Sequence, residues 1–352
     1  MPNFYSEKIY SDDFFNAYKL SNSIVVELKQ DNNLIISSWH NGGYNENMTH
    51  VVNQTLEGND YLNFREGFFD NFHKEKIASL GLNPKTSTGI TTSACMDNYA
   101  ISTCCYENLR VTSIVTAGAD KNAVKAGDHA SFYEYNNHYM NHFGTINIIT
   151  IINANLNPGA LVTANITMTE AKTSVLTDLK LESKFSSGIA TGTGTDGLCV
   201  ISNRSSSNHL ENAGKHSKLG ELIALSVRRA VYDALYLETG MCTDYQKSVL
   251  NRLSRFNITF NDFFKSSGIN DLLEYATLFN DFNNNSSNIA LVSSIINLID
   301  EVQNGLLTIN EVETVFNNML YSHFSFKKSV KIENVVDMIG LLVEAINYSL
   351  LH

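Results

Sequence analysis

The stretch TINIITIINANLNPGALVTANITMTEAKTSVLTDL, residues 145–179, decides the fold. Every apolar residue in its first nine positions is isoleucine, a β-branched residue that favours a buried strand. Pro158-Gly159 follows, and a proline set in advance for a first helical turn marks a helix start. Leu161, Ala164, Met168, Ala171, Val175 and Leu179 then recur at helical spacing. The stretch therefore predicts a strand, a short turn and a helix.

The same pattern extends outward. Residues 111–116 form a β-branched run ending at Ala117-Gly118, a buried strand followed by a tight turn. Residues 197–202 predict another strand. Leu219, Leu222, Ile223, Val227, Ala230, Val231, Ala234 and Leu235 mark an amphipathic helix that Gly240 stops. Nearer the start, residues 24–28 and 34–38 predict a hairpin around Asp31-Asn32-Asn33. Strands alternating with helices give a layered α/β or α+β catalytic domain, residues 1–245. Beyond it the patterns are helical only, at 245–255, 271–279, 289–302, 309–320 and 332–351. The tract FNDFNNNSSN, residues 279–288, predicts a loop. Residues 246–352 are thus expected to be an all-helical C-terminal appendage.

Composition limits the function. The 352 residues are 43% hydrophobic and 17% charged, so a large core can be buried. The net charge of −11 argues against nucleic acid, which selects a basic face. The N-terminus lacks a basic region followed by an apolar stretch, so a cytoplasmic protein without a leader is expected. The greasiest run, residues 146–152, is too short to cross a bilayer. The cysteines Cys95, Cys104, Cys105, Cys199 and Cys242 form no CxxC pair, which argues against a disulfide framework or zinc knuckle.

Four segments could carry chemistry. ATGTGTDG at 190–197 alternates glycine with Thr191, Thr193 and Thr195 and then places Asp196. Glycines admit close approach to the backbone, and amides with hydroxyls can cradle an anion or oxyanion. A tight turn between strands is the alternative, and no Gly-Lys-Ser/Thr makes it a P-loop. TMTEAK at 167–172 carries Thr167, Glu170 and Lys172, or else is a solvated helix face. AGKH at 213–216 puts Lys215 and His216 before a helix whose free amides attract anions. Its alternative is a surface pair. Trp39-His40-Asn41-Gly42-Gly43 could stack on a planar ligand or anchor the core. His129, His138 and His142 form no HExxH, so no metal is expected.

In order, the segments WHNGG (39–43), TTSACM (91–96), TAG (116–118), NA (122–123), GD (127–128), GTIN (144–147), NANLNPGAL (153–161), TMTEAKT (167–173), ATGTGTD (190–196) and AGKHSKLGE (213–221) resemble the adenosylcobinamide amidohydrolase family. The resemblance spans about residues 20 to 245. It implies hydrolysis of adenosylcobinamide to adenosylcobyric acid and 1-amino-2-propanol, with the corrinoid as substrate and no cofactor. On chemical grounds we assign Glu170 and His216 to the proton shuttle. The 191–195 loop and Lys215 are assigned to the oxyanion, and Asp196 is expected to share their cleft. The nucleophile is a water or a hydroxyl such as Thr193 or Thr195. Trp39, His40, Asn41, Asn122, Asp128, Asn147, Asn153, Thr167, Lys172, Thr191, Thr193 and Thr195 are the expected substrate contacts. No nucleic-acid or membrane partner is expected, and a homo-oligomer is compatible with the sequence. Two rivals remain open: a corrinoid- or nucleotide-binding protein without catalysis, and a phosphoryl-transfer enzyme.

Overall fold

The computed structural model describes residues 7–58, 60, 69–131, 133, 145–328 and 331–352. The chain divides into two compact units, Met1–Cys242 and Thr243–His352. His138 and His142, and Gly144 of the GTIN segment, lie outside the described residues.

In the first unit a six-stranded sheet is built around β11 (Ile146–Ile152). Its neighbours are β14 (Gly197–Asn203), parallel, and β9 (Leu109–Ala117), antiparallel. Outside these lie β4 (Asn32–Ile36) then β5 (Gly43–Glu46) on one side, and β8 (Ala100–Tyr106) on the other. Alternate side chains leave opposite faces of a strand. Ile146, Ile148 and Ile152 enter one core with α2 (Pro158–Asp178) and α3 (Lys218–Thr239). Ile149 and Ile151 enter another, shared with a second sheet. That sheet runs β1 (Glu7–Ser11), β2 (Phe15–Lys19), β3 (Ser23–Leu28), β6 (His50–Thr55) and β7 (Ser87–Thr92). On its outer face Val25 and Val52 meet Ile77 of α1 (Phe69–Ser79). The layers are therefore helix, sheet, sheet, helix. Paired short strands β10 (Ala123–Val124) with β13 (Gly192–Thr193), and β12 (Asn155–Leu156) with β15 (His209–Leu210), complete the unit.

The two long helices begin and end as their sequences dictate. Asn157 caps α2, its side chain accepting from the Ala160 amide. Ser217 caps α3, and Gly240 closes it at φ 72. One expectation for this unit is corrected. Residues 24–28 and 34–38 form no hairpin, because β3 pairs with β2 and β6 while β4 pairs with β14 and β5. The chain instead turns a corner at Lys29–Asp31 from one sheet to the other. The Lys29 amide goes to Phe14 O and the Leu28 amide to Thr49 O, so neither is left for a hairpin. The second sheet itself was not foreseen.

Strand β7 crosses one end of the six-stranded sheet. Thr88 Oγ1 donates to His40 O beyond β4, at 2.8 Å. Ile90 lies against Gly197 at the start of β14, where an added Cβ would come within 3.1 Å of it. Thr91 O accepts from Asn147 of β11 at 2.9 Å, and Ala94 meets Gly118 beyond β9. Strand β7 and the residues just after it thus pass the ends of β4, β14, β11 and β9 in their spatial order, running across that end of the sheet.

The second unit comprises α4 (Val249–Leu253), α5 (Phe260–Ser267), α6 (Leu272–Asn283), α7 (Ser286–Gln303), α8 (Ile309–Phe324) and α9 (Val335–Leu351). Within its core the Tyr275 hydroxyl donates to Asn347 at 2.6 Å, and Asn347 donates to Phe263 O at 2.9 Å. Residues 279–288 are a helix, a two-residue break and another helix rather than a loop. Phe279 and Phe282 are buried, and Asn285 caps α7 through the amides of Ser287 and Asn288. Helix α5 was not among the expected helices, although Phe260, Phe263 and Phe264 stand at helical spacing and Thr259 and Asp262 form a capping box.

Each unit has an apolar core of its own. A chain ending at Tyr245 is therefore expected to fold, giving one cooperative thermal transition. A molten product that binds a hydrophobic dye and lacks near-UV dichroism would show that the core of the first unit is incomplete alone.

Candidate active site

The loop before β14 is pinned by Asp196. Its Oδ1 accepts from the amide of Thr193 (3.0 Å), the hydroxyl of Thr193 (2.6 Å) and the amide of Ile146 (3.2 Å). Its Oδ2 accepts from Lys172 Nζ, which α2 directs inward. The side chains of this ion pair are only 6% and 13% exposed. Glycine at 192 is required here, because a Cβ would lie 2.3 Å from Asp196 Oδ2 and 2.6 Å from Lys172 Nζ. Gly194 and Thr195 face solvent just beyond, while Thr193 is buried.

A row of polar side chains continues from this loop towards the second sheet. Thr195 Oγ1 meets the Thr145 hydroxyl at 2.6 Å and Asn122 Nδ2 at 3.4 Å. On the inter-sheet side, Asn147 donates to Asn53 Oδ1 (2.8 Å), and Asn53 donates to Thr116 (2.9 Å). Asn147 Oδ1 is buried beside Gly197 without a hydrogen-bond partner among the described residues. Thr191 and Asp128 brace the loop from outside. Thr191 Oγ1 accepts from the Ala126 amide, its carbonyl accepts from Thr173, and Asp128 accepts from Ser183.

The structure does not bring all the expected residues together. Glu170 pairs with Lys215 on an exposed surface, and Thr167 donates to Ala213 O behind it. Glu170 and Lys172 are two residues apart, so they leave opposite faces of α2. His216 is exposed at the start of α3, with no hydrogen-bond or ionic partner among the described residues. That helix starts near the β8–β9 turn, where Lys218 lies over the Tyr106 ring, and ends at Gly118. Asp196 sits at the Gly118 end, beside Ile146, the partner of Ala117. Asn153 is also remote, at the far end of β11, where it holds the Arg110 amide and Asn108 O.

The WHNGG segment lies at the Asp196 end, since Ser37 pairs with Leu198. His40 Nδ1 contacts Asp70 (2.7 Å) and Nε2 contacts Pro84 O (2.8 Å), while Asn41 donates to Pro84 O and Ser87 O. Trp39, 49% exposed, stacks on Phe69 at 4.5 Å. Beneath it His73 is buried. Burial, then the nearby His40, hold its pKa down to about 4, against a smaller opposing pull from Asp70.

Sequence reasoning missed Glu238, in the last turn of α3. Its oxygens accept from the Cys95 amide (3.2 Å each), and Oε2 also accepts from Asn98 Nδ2 (2.7 Å). It therefore fixes the 93–98 loop at the same end of the sheet. An acidic group facing a helix C-terminus is electrostatically unfavourable, and that anomaly was the available signal. Asn53, a polar residue inside an otherwise apolar strand, was another.

Lys172→Met leaves a buried carboxylate unpaired and is expected to cost about 3–5 kcal/mol in denaturant unfolding. Lys215→Met, removing a half-exposed pair, is expected to cost about 1 kcal/mol or less. Equal costs would mean that the Lys172 pair is not structurally special. For His73, the folded pKa lies below that of the unfolded chain, near 6.5. The unfolded state binds the proton first, so stability is full above about pH 6.5 and falls toward pH 4. The loss is expected to reach about 3 kcal/mol. His73→Gln is expected to remove that slope from unfolding midpoints measured between pH 4.5 and 7. An unchanged slope would overturn the assignment to His73.

Residues 7–243 match the family model described as adenosylcobinamide amidohydrolase. The chain is also similar to the uncharacterized protein MJ1613 of Methanocaldococcus jannaschii. They are 30% identical over 254 residues, covering 65% of this chain and 96% of that protein. The matched segment takes in every polar group described above and stops where the second unit begins. Over residues 7–243 the chain belongs to the adenosylcobinamide amidohydrolase family.

Proposed function

We propose that the chain hydrolyses the amide joining aminopropanol to adenosylcobinamide, releasing adenosylcobyric acid and 1-amino-2-propanol. The observation that carries this reading is the family match over residues 7–243. The held loop at 191–196 supports it, because amide hydrolysis needs fixed donors around a carbonyl that gains negative charge. Gly194 and Thr195 present that loop to solvent, and the Lys172–Asp196 pair fixes it from behind.

The substrate binds across this end of the sheet in our reading, between the 191–196 loop, Asn122 and the Trp39 segment. Trp39 offers an aromatic surface to a planar part of it. Glu170, Lys215 and His216 form a separate polar patch suited to the periphery of so large a substrate. The reaction belongs to corrinoid salvage in the cytoplasm; among the described residues no helix is long and apolar enough to cross a membrane. The reaction so drawn takes its groups from the chain alone, so neither ATP nor added metal is expected to be needed.

The test is incubation of the pure protein with adenosylcobinamide, followed by mass analysis of the products. Equal amounts of adenosylcobyric acid and 1-amino-2-propanol are expected, with or without ATP and with or without a chelator. A spectral change without amine release would make the protein a corrinoid binder. Turnover only with ATP would make it a phosphoryl-transfer enzyme. Activity lost on chelation and restored by one divalent ion would overturn the metal-free expectation.

A further inference from the structure

Resting on that hydrolase reading, we propose that Thr193 is the nucleophile and that hydrolysis passes through an ester between Thr193 and the corrinoid acid. Of the two threonines left open by the sequence, Thr193 carries the geometry of an activated hydroxyl: its Oγ1 donates to the carboxylate of Asp196 at 2.6 Å. That separation is within the reach required of a nucleophile and its base. The same carboxylate receives Lys172 Nζ on its other oxygen. Hydroxyl, carboxylate and ammonium therefore form one line, Thr193–Asp196–Lys172.

The surroundings suit an acyl transfer. Glycines flank the hydroxyl on both sides. Gly192 lets the ion pair lie against the backbone, and Gly194 lets the Asn122 side chain approach, its Oδ1 3.0 Å from where a Cβ would stand. The Thr195 amide points at Thr193 Oγ1 across 3.4 Å, and the Gly194 amide reaches Asn122 O across 3.3 Å. Both contacts are long for N–H···O bonds, so these amides lose little by turning to an oxyanion formed at Thr193.

The step balances as follows. Thr193 Oγ attacks the amide carbon, and its proton passes to Asp196. Asp196 gives that proton to the departing nitrogen as the carbon–nitrogen bond breaks, while Lys172 stays charged and holds the carboxylate in place. The products are the Thr193 ester and neutral 1-amino-2-propanol. Water then attacks the ester, breaks its carbon–oxygen bond, and returns Thr193 its hydroxyl while the corrinoid leaves as the acid. Asp196 is the relay, ending each half-reaction in its starting state.

The test uses the full chain with hydroxylamine as a competing acceptor. Two substrates are compared, the aminopropanol amide and the corresponding ethanolamine amide of the same corrinoid acid. If both pass through one ester, the ratio of hydroxamate to acid is expected to be identical for the two. Acid quenching in the first turnover is expected to show a protein mass gain of the corrinoid acid less water, on the peptide containing Thr193. Thr193→Ala is expected to lower kcat by at least about 10³-fold, and Thr193→Ser to restore turnover together with the trapped ester. Unequal ratios, or full turnover by Thr193→Ala, would overturn the ester while leaving the hydrolase reading intact. Absence of amine release from the unaltered protein would instead overturn the hydrolase reading itself.

Discussion

The buried contact between Lys172 and Asp196 is the constraint on which this end of the molecule depends. Two charges out of water are costly unless paired and supplied with further hydrogen bonds. Here the carboxylate has three such bonds besides the lysine, from the amide and hydroxyl of Thr193 and the amide of Ile146. The pair therefore couples three elements at once: helix α2, the start of β11, and the loop that enters β14. Removing either partner would leave the other charge without compensation and the loop without its anchor. The need for glycine at 192 follows from the same contact, since any side chain there would occupy the space of the ion pair.

Behind the loop, β7 seals the sheet end that the loop decorates. A sheet end exposes backbone groups and is a natural place for a ligand, but it must also keep water from the core. The crossing strand and the residue Ala94 just beyond it give each central strand one contact: a carbonyl for Asn147, a side chain against Gly197, a methyl against Gly118. The polar residues Asn53, Thr116 and Asn147 lie in this seam and hydrogen-bond to one another, with Asn147 Oδ1 left without a partner among the described residues.

How much was legible in the sequence depended on whether the signal was local. Strand β11 and helices α2 and α3 were readable because each carries its own periodicity and its own caps. The Gly/Thr loop was readable because its composition is unusual. The five-stranded sheet was not, since its strands are short and their pairing is set by contacts distant along the chain. The expected hairpin failed for that reason: two short apolar strands beside a turn signal fit one sheet or two equally well. The same holds for the site. Thr191, Thr193, Thr195, Asn122, Asn147 and Asp196 gather at one sheet end, as their positions at or near strand ends allowed, and Lys172 reaches them from α2. Glu170, Lys215 and His216 gather elsewhere, because which face of α2 turns inward, and where α3 begins, are tertiary facts. Glu238 escaped notice because its partners lie 140 or more positions away.

Helix α3 has 22 residues, so it is a rod roughly 33 Å long. Its first turn is located by Ser217, and its last by the Glu238 carboxylate that grips the 93–98 loop. A rod fixed at both ends transmits displacement along its axis with little loss. The loop that borders the Asp196 end is therefore indexed to a hydroxyl at the opposite end of the sheet. In that sense the helix is a gauge as well as a cover: its length, in whole turns, sets how far the 93–98 loop stands from Ser217.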